Sequence, residues 1–519
     1  MTSPFLRRLR IVFSAVILVY FIYIFVDFRS LIPPEYIKYL LYLQFIPSII
    51  KFIDIKTLAA GGFLIILLLT LITGRTYCSF LCPLGIGQDV FSRIGGTIRK
   101  KFRRFGYKRP HTVIRYSILI IVVAATFIWG IYFLNLLDPY SIFGRSILFF
   151  IKPLVLLVNN FAAEILGKID NYTLHHAEIR GYNLIAYAIP SGFFLLVGLL
   201  SLTKGRLYCN MICPVGTFLG LLSKLSLFRI KSDESKCTRC GRCSVVCKSS
   251  CIDFLNHEID VSRCVNCFDC VYSCPDKAIS YGFIGHNPGK HNTDENKRKF
   301  IAGSIMMLLG LSASSRAQER GIPVPKREST VKEEKNYPVC PPGAGSITDF
   351  NNRCTACGLC ISVCPNDVLH PSIRQYGLEG LMQPVMDYHK GFCQYNCTLC
   401  TEICPTYALK PLLTEAKKLT QIGKVVFIKD NCIVKTEKTA CGACSEACPT
   451  KAVFMIPYEG NLLIPDTDQN ICIGCGHCEY SCPTVPYKAI FVDGNPVHRA
   501  SKKPEVKKPD IESPEDFPF

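Results

Sequence analysis

Thirty cysteines occur in this chain of 519 residues, and their spacing limits what it can fold into. Most of them repeat the pattern Cys-x₂-Cys-x₂-Cys-x₃-Cys. A disulfide framework would instead be typical of a short secreted module with irregular spacings. The regular pattern is that of iron–sulfur cluster ligands. We therefore expect cysteines that bind clusters rather than cysteines that form disulfides.

Two of these cysteine groups lie near the middle of the chain and have the pattern of a two-cluster ferredoxin, a small α+β domain. In such domains the fourth cysteine of each group ligates the cluster held by the other group. One [4Fe–4S] cluster is expected on Cys237, Cys240, Cys243 and Cys274. The second is expected on Cys264, Cys267, Cys270 and Cys247. Cys247 is followed by Lys248 rather than proline, so nearby Cys251 is an alternative ligand.

Four further groups follow towards the C-terminus, with starts spaced 39, 39 and 40 residues apart. The groups are Cys354/Cys357/Cys360/Cys364, Cys393/Cys397/Cys400/Cys404, Cys432/Cys441/Cys444/Cys448 and Cys472/Cys475/Cys478/Cys482. They resemble the four-cluster ferredoxin subunits of membrane-linked oxidoreductases. That resemblance implies that the outer groups pair with each other, as do the inner groups, although pairing of neighbours stays open. Six [4Fe–4S] clusters are expected in total, and Cys340 is left as a spare buried residue.

Four long apolar runs predict membrane helices, because each has about 20 residues and is apolar on every face. The runs are Ile11–Phe28, Ile55–Thr73, Ser117–Leu137 and Leu184–Leu202. Two interrupted stretches, Tyr36–Ile53 and Ile147–Ala163, are expected to be interfacial or re-entrant, since Lys152-Pro153 should break a spanning helix.

Basic residues exceed acidic residues by 19, and they crowd the sequence before the first run, between the second and third runs, and after the fourth. The positive-inside rule explains this excess and places those segments in the cytoplasm. Nucleic-acid binding is therefore not expected.

One motif, Gly-Arg-x-Tyr-Cys-x₃-Cys-Pro-x-Gly, occurs twice, at residues 74–85 and 205–216, directly behind apolar runs. The constant offset of 131 residues indicates an internal repeat of the membrane part. The repeat should bring together four thiols that suit an iron–sulfur cluster or another soft metal. These thiols belong to Cys78, Cys82, Cys209 and Cys213. The alternative is that the motifs only pack helix ends, with Arg75 and Arg206 meeting lipid phosphate.

The sequence predicts five regions. Residues 1–230 form the membrane domain, with four transmembrane helices in two repeated halves, and residues 231–282 form the two-cluster domain. Residues 283–337 are a linker that contains a signal-like or anchor-like segment at 297–317. Residues 338–498 form the four-cluster domain, and residues 499–519 a disordered tail.

The repeated motif, the DPYSIFGR run at residues 138–145 and the following two-cluster domain resemble the NapH/NosR/MauN-type membrane ferredoxins. The later region, with PPGA at residues 341–344, resembles the partner ferredoxins of the NapG/MauM type. The resemblance implies a quinol dehydrogenase that passes electrons from membrane quinol to a redox partner. We expect a bacterial inner membrane, with the two-cluster domain in the cytoplasm by the positive-inside rule. The basic start of the segment at 297–317 predicts that this segment crosses outward, which places the four-cluster domain in the periplasm.

Two other functions stay open. Similar motifs occur in membrane ferredoxins for metal-centre assembly, such as copper reduction in oxidase maturation. A scaffold whose clusters only stabilise the fold is the non-redox alternative. For quinol oxidation, the candidates for proton transfer are His175, His176, Glu164, Asp138 and Glu178, although a solvated loop also explains the two histidines.

Overall fold

The computed structural model describes residues 3–27, 31–57, 60–98, 105–177, 181, 184–283 and 331–503. The signal-like segment 297–317, residues 504–519 of the predicted tail and Glu178 lie outside these residues. A helical membrane unit comes first, followed by two units with short helices and two-stranded sheets, called here the first soluble unit (228–283) and the second soluble unit (331–503).

Among the residues that the structure describes, four helices are long and apolar enough to cross a membrane, by length and composition. Three of them overlap predicted runs: α1 (Ser3–Val26), α7 (Thr112–Trp129) and α11 (Leu184–Lys204), although α7 ends at Trp129 rather than at the predicted Leu137. The apolar side chains of α1 include Val12, Val16 and Val19, each more than 60% exposed. Side chains of this kind on the outside of a helical unit are suited to lipid contact.

The predicted run Ile55–Thr73 is wrong in extent. Its helix, α4, covers only Gly62–Thr73, which is about 18 Å long and too short to span a bilayer. The preceding stretch forms two helices, α2 (Pro34–Tyr42) and α3 (Phe45–Ile55), bent by 99° as in a broken span or a re-entrant loop.

The expectation that Lys152-Pro153 breaks the helix is also wrong, since residues Pro139–Gly167 form the fourth long helix. It consists of α9 (Pro139–Ser146), a π-helical turn (Ile147–Ile151) and α10 (Lys152–Gly167). Proline is tolerated there because the wider turn changes the hydrogen-bond pattern just before it. The buried ammonium of Lys152 donates to the carbonyl of Ser362 at 2.7 Å, which explains a lysine in an apolar helix.

Shorter elements complete the membrane unit. They are α5 (Tyr77–Phe80), α6 (Pro83–Ile98), α8 (Tyr132–Leu137), a π-helical turn (Tyr208–Ile212) and α12 (Pro214–Leu222).

The first soluble unit has two antiparallel strand pairs and two short helices. Strand β1 (Phe228–Ser232) pairs with β4 (Ile279–Phe283), with Phe228 opposite Phe283, and β2 (Ile252–Asp253) pairs with β3 (Glu258–Ile259). Helices α13 (Arg242–Val246) and α14 (Asp269–Ser273) contain the third cysteine of their groups, Cys243 and Cys270 respectively.

The second soluble unit contains three more antiparallel pairs. Strand β5 (Leu369–Pro371) pairs with β6 (Pro384–Met386), β8 (Val453–Pro457) pairs with β9 (Leu463–Thr467), and β7 (Thr420–Phe427) pairs with β10 (Ile490–Ala500). Its helices are α15 (Ile347–Asn351), α16 (Leu359–Ser362), α17 (Leu399–Glu402), α18 (Thr414–Lys418), α19 (Ile433–Thr436), α20 (Ala443–Glu446) and α21 (His477–Ser481).

The two soluble units lie at opposite ends of α1. At its N-terminal end, Arg7 forms an ion pair with Asp269 of the first soluble unit at 3.0 Å. At its C-terminal end, Phe25 packs where Gly144 meets the carbonyl of Cys357 in the second soluble unit. The helical unit therefore lies between the two soluble units.

Candidate functional site: a four-thiol centre between two sets of cysteine groups

The structure brings Cys78, Cys82, Cys209 and Cys213 together inside the membrane unit; these residues are called the four-thiol centre. None of them is more than 3% exposed. Every pair among the four interacts electrostatically. Cys78 lies on the short helix α5 and Cys209 on a π-helical turn, whereas Cys82 and Cys213 directly precede α6 and α12. The two motif copies thus supply equivalent positions.

The arginine of each motif copy reaches across to the other copy. Arg75 donates to the carbonyl of Cys209 at 3.2 Å, and Arg206 donates to the carbonyl of Cys78 at 2.5 Å. Both side chains are completely buried. The crossed hydrogen bonds join the two repeated halves at the cysteines, so neither arginine meets lipid phosphate.

The last glycine of each copy leaves space for this crossing. A Cβ at Gly85 would lie 2.3 Å from the carbonyl of Cys78, and one at Gly216 would lie 2.1 Å from that of Cys209. The same Cβ atoms would also crowd the guanidinium that arrives from the other copy, at 3.3 Å and 2.9 Å respectively. These positions therefore require glycine for close approach.

The first glycine of each copy ends a helix with positive φ, 80° at Gly74 and 66° at Gly205. A Cβ at Gly74 would lie 2.7 Å from Asn266, and one at Gly205 would lie 2.4 Å from the carbonyl of Lys248. Both neighbours belong to the cysteine-bearing loops of the first soluble unit. The first glycine of each copy therefore lets the membrane unit pack closely against the first soluble unit, next to the four-thiol centre.

The charges around the centre fit an anionic group. Among the described residues, no carboxylate forms an ion pair with Arg75, whose other acceptors are Asn210 Oδ1 at 2.9 Å and the carbonyl of Ser262 at 2.8 Å. One Nη of Arg75 lies 3.8 Å from Cys78 Sγ. A buried cation without a counter-charge is costly. A thiolate-ligated cluster at the four thiols would supply that negative charge.

Asp89 carries the opposite charge next to this centre but is shared. Its carboxylate pairs with Arg206 at 2.8 Å, with Lys248 at 3.6 Å and with Arg10. Lys248 is paired more closely with Asp269, at 3.1 Å, so Asp89 mainly offsets Arg206 and Arg10 and leaves a positive excess beside the thiols.

The sulfur spacing favours a multi-iron cluster over a single ion. Sulfurs that surround one tetrahedral metal at 2.3 Å are about 3.8 Å apart. Within the described part of the chain, no three cysteine sulfurs lie within 4.8 Å of one another. The four thiols are therefore spread more widely than a one-metal site requires.

In the first soluble unit, two cavities have the predicted ligand sets on their walls. One cavity is lined by Cys237, Cys240, Cys243 and Cys274. The other is lined by Cys247, Cys264, Cys267 and Cys270, and also by Cys251. The sulfur of Cys251 is 3.5 Å from that of Cys247, so both candidate ligands reach the second cavity and the choice between them stays open.

In the second soluble unit, each cysteine group meets its sequence neighbour. Cys404 interacts electrostatically with Cys354, Cys357 and Cys360, while Cys364 lines a cavity with Cys393, Cys397 and Cys400. Another cavity is lined by Cys432, Cys441, Cys444 and Cys482. Cys448 interacts with Cys472, Cys475 and Cys478.

The pairing of outer and inner groups that the resemblance implied is therefore wrong. Strands β5 and β6 form a hairpin between the first and second groups, and β8 and β9 form one between the third and fourth. Each hairpin returns the chain onto itself, so consecutive groups face each other, as β2 and β3 arrange in the first soluble unit. The backbone N–H of Cys393 donates to the carbonyl of Cys475 at 2.9 Å, which joins the two halves.

The DPYSIFGR run connects the membrane unit to the second soluble unit. Asp138 caps α9 by accepting from the backbone N–H of Ser141 at 2.9 Å. A Cβ at Gly144 would lie 2.4 Å from the carbonyl of Cys357, so glycine permits close contact there. Asn135, just before the run, donates to the carbonyl of Cys354 at 2.8 Å.

Most of the predicted proton-transfer residues lie away from the four-thiol centre. His175 and His176 are exposed in a loop, and Glu164 is paired with Lys168 on the surface of α10. Asp138 is buried as a helix cap. Cys340 is buried beside Tyr376, as expected of a spare cysteine.

Two residues of the site, Gln88 and Asp89, were not predicted from the sequence. Gln88 donates to Cys209 Sγ at 3.3 Å, and Asp89 pairs with Arg206. The signal was the polar Gln-Asp pair within the otherwise apolar stretch after Cys82.

Comparison with protein families gives three matches. A model described as a 4Fe-4S binding domain matches residues 57–104 and 185–232, the two segments that contain the repeated motif. A 4Fe-4S dicluster domain matches residues 439–485, and a further 4Fe-4S binding domain matches residues 347–370.

Among curated proteins, the chain is similar to the ferredoxin-type protein NapH of Escherichia coli, 26% identical over 43% of this chain and 68% of that protein. It is also similar to the methylamine utilization ferredoxin-type protein MauM of Methylophilus methylotrophus, 34% identical over 26% of this chain and 61% of that protein.

The chain contains 4Fe-4S ferredoxin domains and is similar to the NapH/MauN-type ferredoxin proteins. The putative electron transport protein YccM of Escherichia coli is a further relative, 24% identical over 47% of this chain and 60% of its own length. No solved structure matches the chain. These relatives and the 4Fe-4S domains support an iron–sulfur electron-transfer role with [4Fe–4S] clusters, and such a role implies a redox partner.

Proposed function

We propose that this protein is the electron-transfer component of a quinol-linked oxidoreductase. Single electrons pass from membrane quinol to a redox partner by way of bound clusters. We further propose six [4Fe–4S] clusters in the soluble units and one more on the four-thiol centre. The family model that covers both motif copies and names 4Fe-4S binding supports the additional cluster.

One observation carries this proposal: a single contiguous cluster of apolar side chains includes the four-thiol centre and cysteines of both soluble units. Cys267 of the first soluble unit packs against this cluster, and Cys357 of the second lies within it. A two-electron carrier dissolved in lipid therefore has cysteine groups near the helices that contact lipid. Bound clusters supply one-electron chemistry, which the chain itself lacks.

The basic loop supports the proposed sidedness. Arg263 of the first soluble unit donates to the carbonyl of Lys108 in that loop at 2.9 Å. Basic loops stay in the cytoplasm. We therefore place the first soluble unit in the cytoplasm of a bacterial inner membrane and the second, at the other end of α1, in the periplasm.

Metal-centre assembly is the second candidate, and the docking of the first soluble unit favours it. Asn266 donates to the carbonyl of Thr73 at 2.5 Å, and Arg75 donates to the carbonyl of Ser262. A soluble cytoplasmic donor then has a direct entry to the four-thiol centre without quinol. Reduction of copper(II) is the example that the sequence suggests.

The two functions can be separated with anaerobically purified protein in lipid nanodiscs. We expect added quinol to produce the EPR signals of reduced clusters, with a rate that rises with quinol concentration. Absence of any quinol-driven signal, at potentials where a chemical reductant does reduce the clusters, would refute the quinol proposal. Copper(II) reduction by a soluble donor without quinol would then support metal-centre assembly.

A further inference from the structure

We infer that the protein conducts electrons across the membrane, from one soluble unit to the other, with the four-thiol centre as the connecting site. The inference goes beyond quinol oxidation, since it requires no quinone. A low-potential one-electron donor at one face would then reduce an acceptor at the opposite face.

The length of α1 sets the distance between the two soluble units. Arg10 donates to the carbonyl of Cys267 in the first soluble unit at 3.3 Å. Phe25, next to Cys357 of the second soluble unit, is 15 residues further on. At 1.5 Å per residue, these two levels are about 22 Å apart. The two sets of cysteine groups therefore face each other across most of a bilayer core of about 30 Å.

The four-thiol centre lies between these two levels of α1. Phe80, located between Cys78 and Cys82, packs on Phe13 of α1 with ring centroids 6.0 Å apart. Tyr140, which interacts electrostatically with Cys357, packs on Phe21 at 6.1 Å. Along α1, the order is thus first soluble unit, four-thiol centre and second soluble unit.

Hydrogen bonds connect residues of the four-thiol centre to neighbouring elements on both sides. Towards the first soluble unit, the backbone N–H of Arg206 donates to the carbonyl of Lys248 at 3.0 Å. Towards the second, the hydroxyl of Tyr208, next to Cys209, donates to the carbonyl of Leu137 at 2.9 Å. Asn135 then reaches Cys354, so the contacts continue without interruption.

The charge near the four-thiol centre favours a transferred electron. An electron inside an apolar layer is unfavourable unless positive charge stabilises it. Arg75 provides a buried positive charge next to Cys78 that no carboxylate in the described residues offsets by an ion pair. The repeat has thus placed a cation beside the connecting site inside the apolar layer.

The overall reaction balances as a one-electron transfer. The donor loses one electron at one face, the acceptor gains one at the other face, and no bond or proton is exchanged. One negative charge crosses the membrane, so an equal movement of ions must compensate it.

The test uses the full-length holoprotein in vesicles of quinone-free lipid, with ferricyanide trapped inside, dithionite outside, and potassium with valinomycin to compensate charge. Random orientation is acceptable because transfer is possible in both directions. We expect ferricyanide to bleach much faster than in protein-free vesicles. Cys209→Ser should reduce the rate to the protein-free level, whereas Cys340→Ser, an equally buried cysteine outside the sets, should not.

Iron content and EPR spectra of Cys209→Ser show whether the soluble units keep their clusters. The inference is overturned if the wild-type rate equals that of empty vesicles. It is also overturned if Cys209→Ser has lost only the cluster of the four-thiol centre and still transfers electrons at the wild-type rate. A voltage test requires no variant: an inside-positive potential should accelerate wild-type transfer, and a voltage-independent rate contradicts it. Because quinone is absent, failure of quinol oxidation in nanodiscs leaves this result unaffected.

Discussion

Replacing Arg75 by glutamine should lower the reduction potential of the cluster on the four-thiol centre. The guanidinium is completely buried and lies 3.8 Å from Cys78 Sγ. Its charge favours the more negative, reduced state, so its removal favours the oxidised state. The substitution keeps a side chain that can still donate to the carbonyls around it.

The magnitude follows from Coulomb's law. Two unit charges 3.8 Å apart interact by about 4 kcal/mol at an effective dielectric constant of about 20. For one electron, this energy corresponds to about 170 mV. The added electron is spread over the cluster, at greater average distance, so we expect a shift of about 100 mV to more negative potential.

The assay is an EPR-monitored redox titration of purified protein. Arg75→Lys retains the charge and serves as the matched control, with a much smaller shift. Arg206→Gln should also shift the potential less, since Asp89 already offsets that charge. An unchanged or more positive potential in Arg75→Gln, with the cluster still bound, would refute the electrostatic argument.

Three further predictions concern packing, cluster pairing and pH. Gly216→Ala should remove about four irons per chain, because its Cβ would lie 2.1 Å from the carbonyl of Cys209. Gly192→Ala should retain these irons, because nothing lies within 4 Å of its Cβ. Equal iron contents in the two variants would contradict the close-packing argument. Cys404→Ser should eliminate the same EPR signal as Cys354→Ser, and loss of different signals would argue against neighbour pairing. Burial lowers the pKa of His498 from 6.5 to about 4, so the native state resists protonation. The free energy of unfolding should therefore fall by up to about 3 kcal/mol as pH decreases from 6.5 to 4. His498→Phe should weaken this pH dependence in denaturant titrations, and an identical pH profile in the variant would show that another group is responsible.

The ligand sets of the first soluble unit could be predicted from sequence because their spacing is local. The cavity with Cys237, Cys240, Cys243 and Cys274 is lined as the spacing implied. The pairing of cysteine groups in the second soluble unit could not be predicted from sequence, because it depends on the hairpins between the groups. Strand β5 has only three residues, which is too short for a clear alternating pattern.

Helix boundaries were predictable where apolar runs were uninterrupted, as in α11. They were not predictable at Pro153, where a π-helical turn and a contact from Lys152 to another unit maintain the helix. The motif cysteines were recognisable by repetition. The crossing of Arg75 and Arg206 was not, because it depends on how the two halves pack.

The central claim is that the repeated motif binds a cluster in the membrane unit. Iron and acid-labile sulfide in anaerobically purified protein test it most directly, by comparing the wild type with a variant in which Cys78, Cys82, Cys209 and Cys213 are all serine. Seven [4Fe–4S] clusters predict about 28 of each per chain in the wild type and about 24 in the variant. Equal contents of about 24 in both proteins would contradict a cluster at the four-thiol centre.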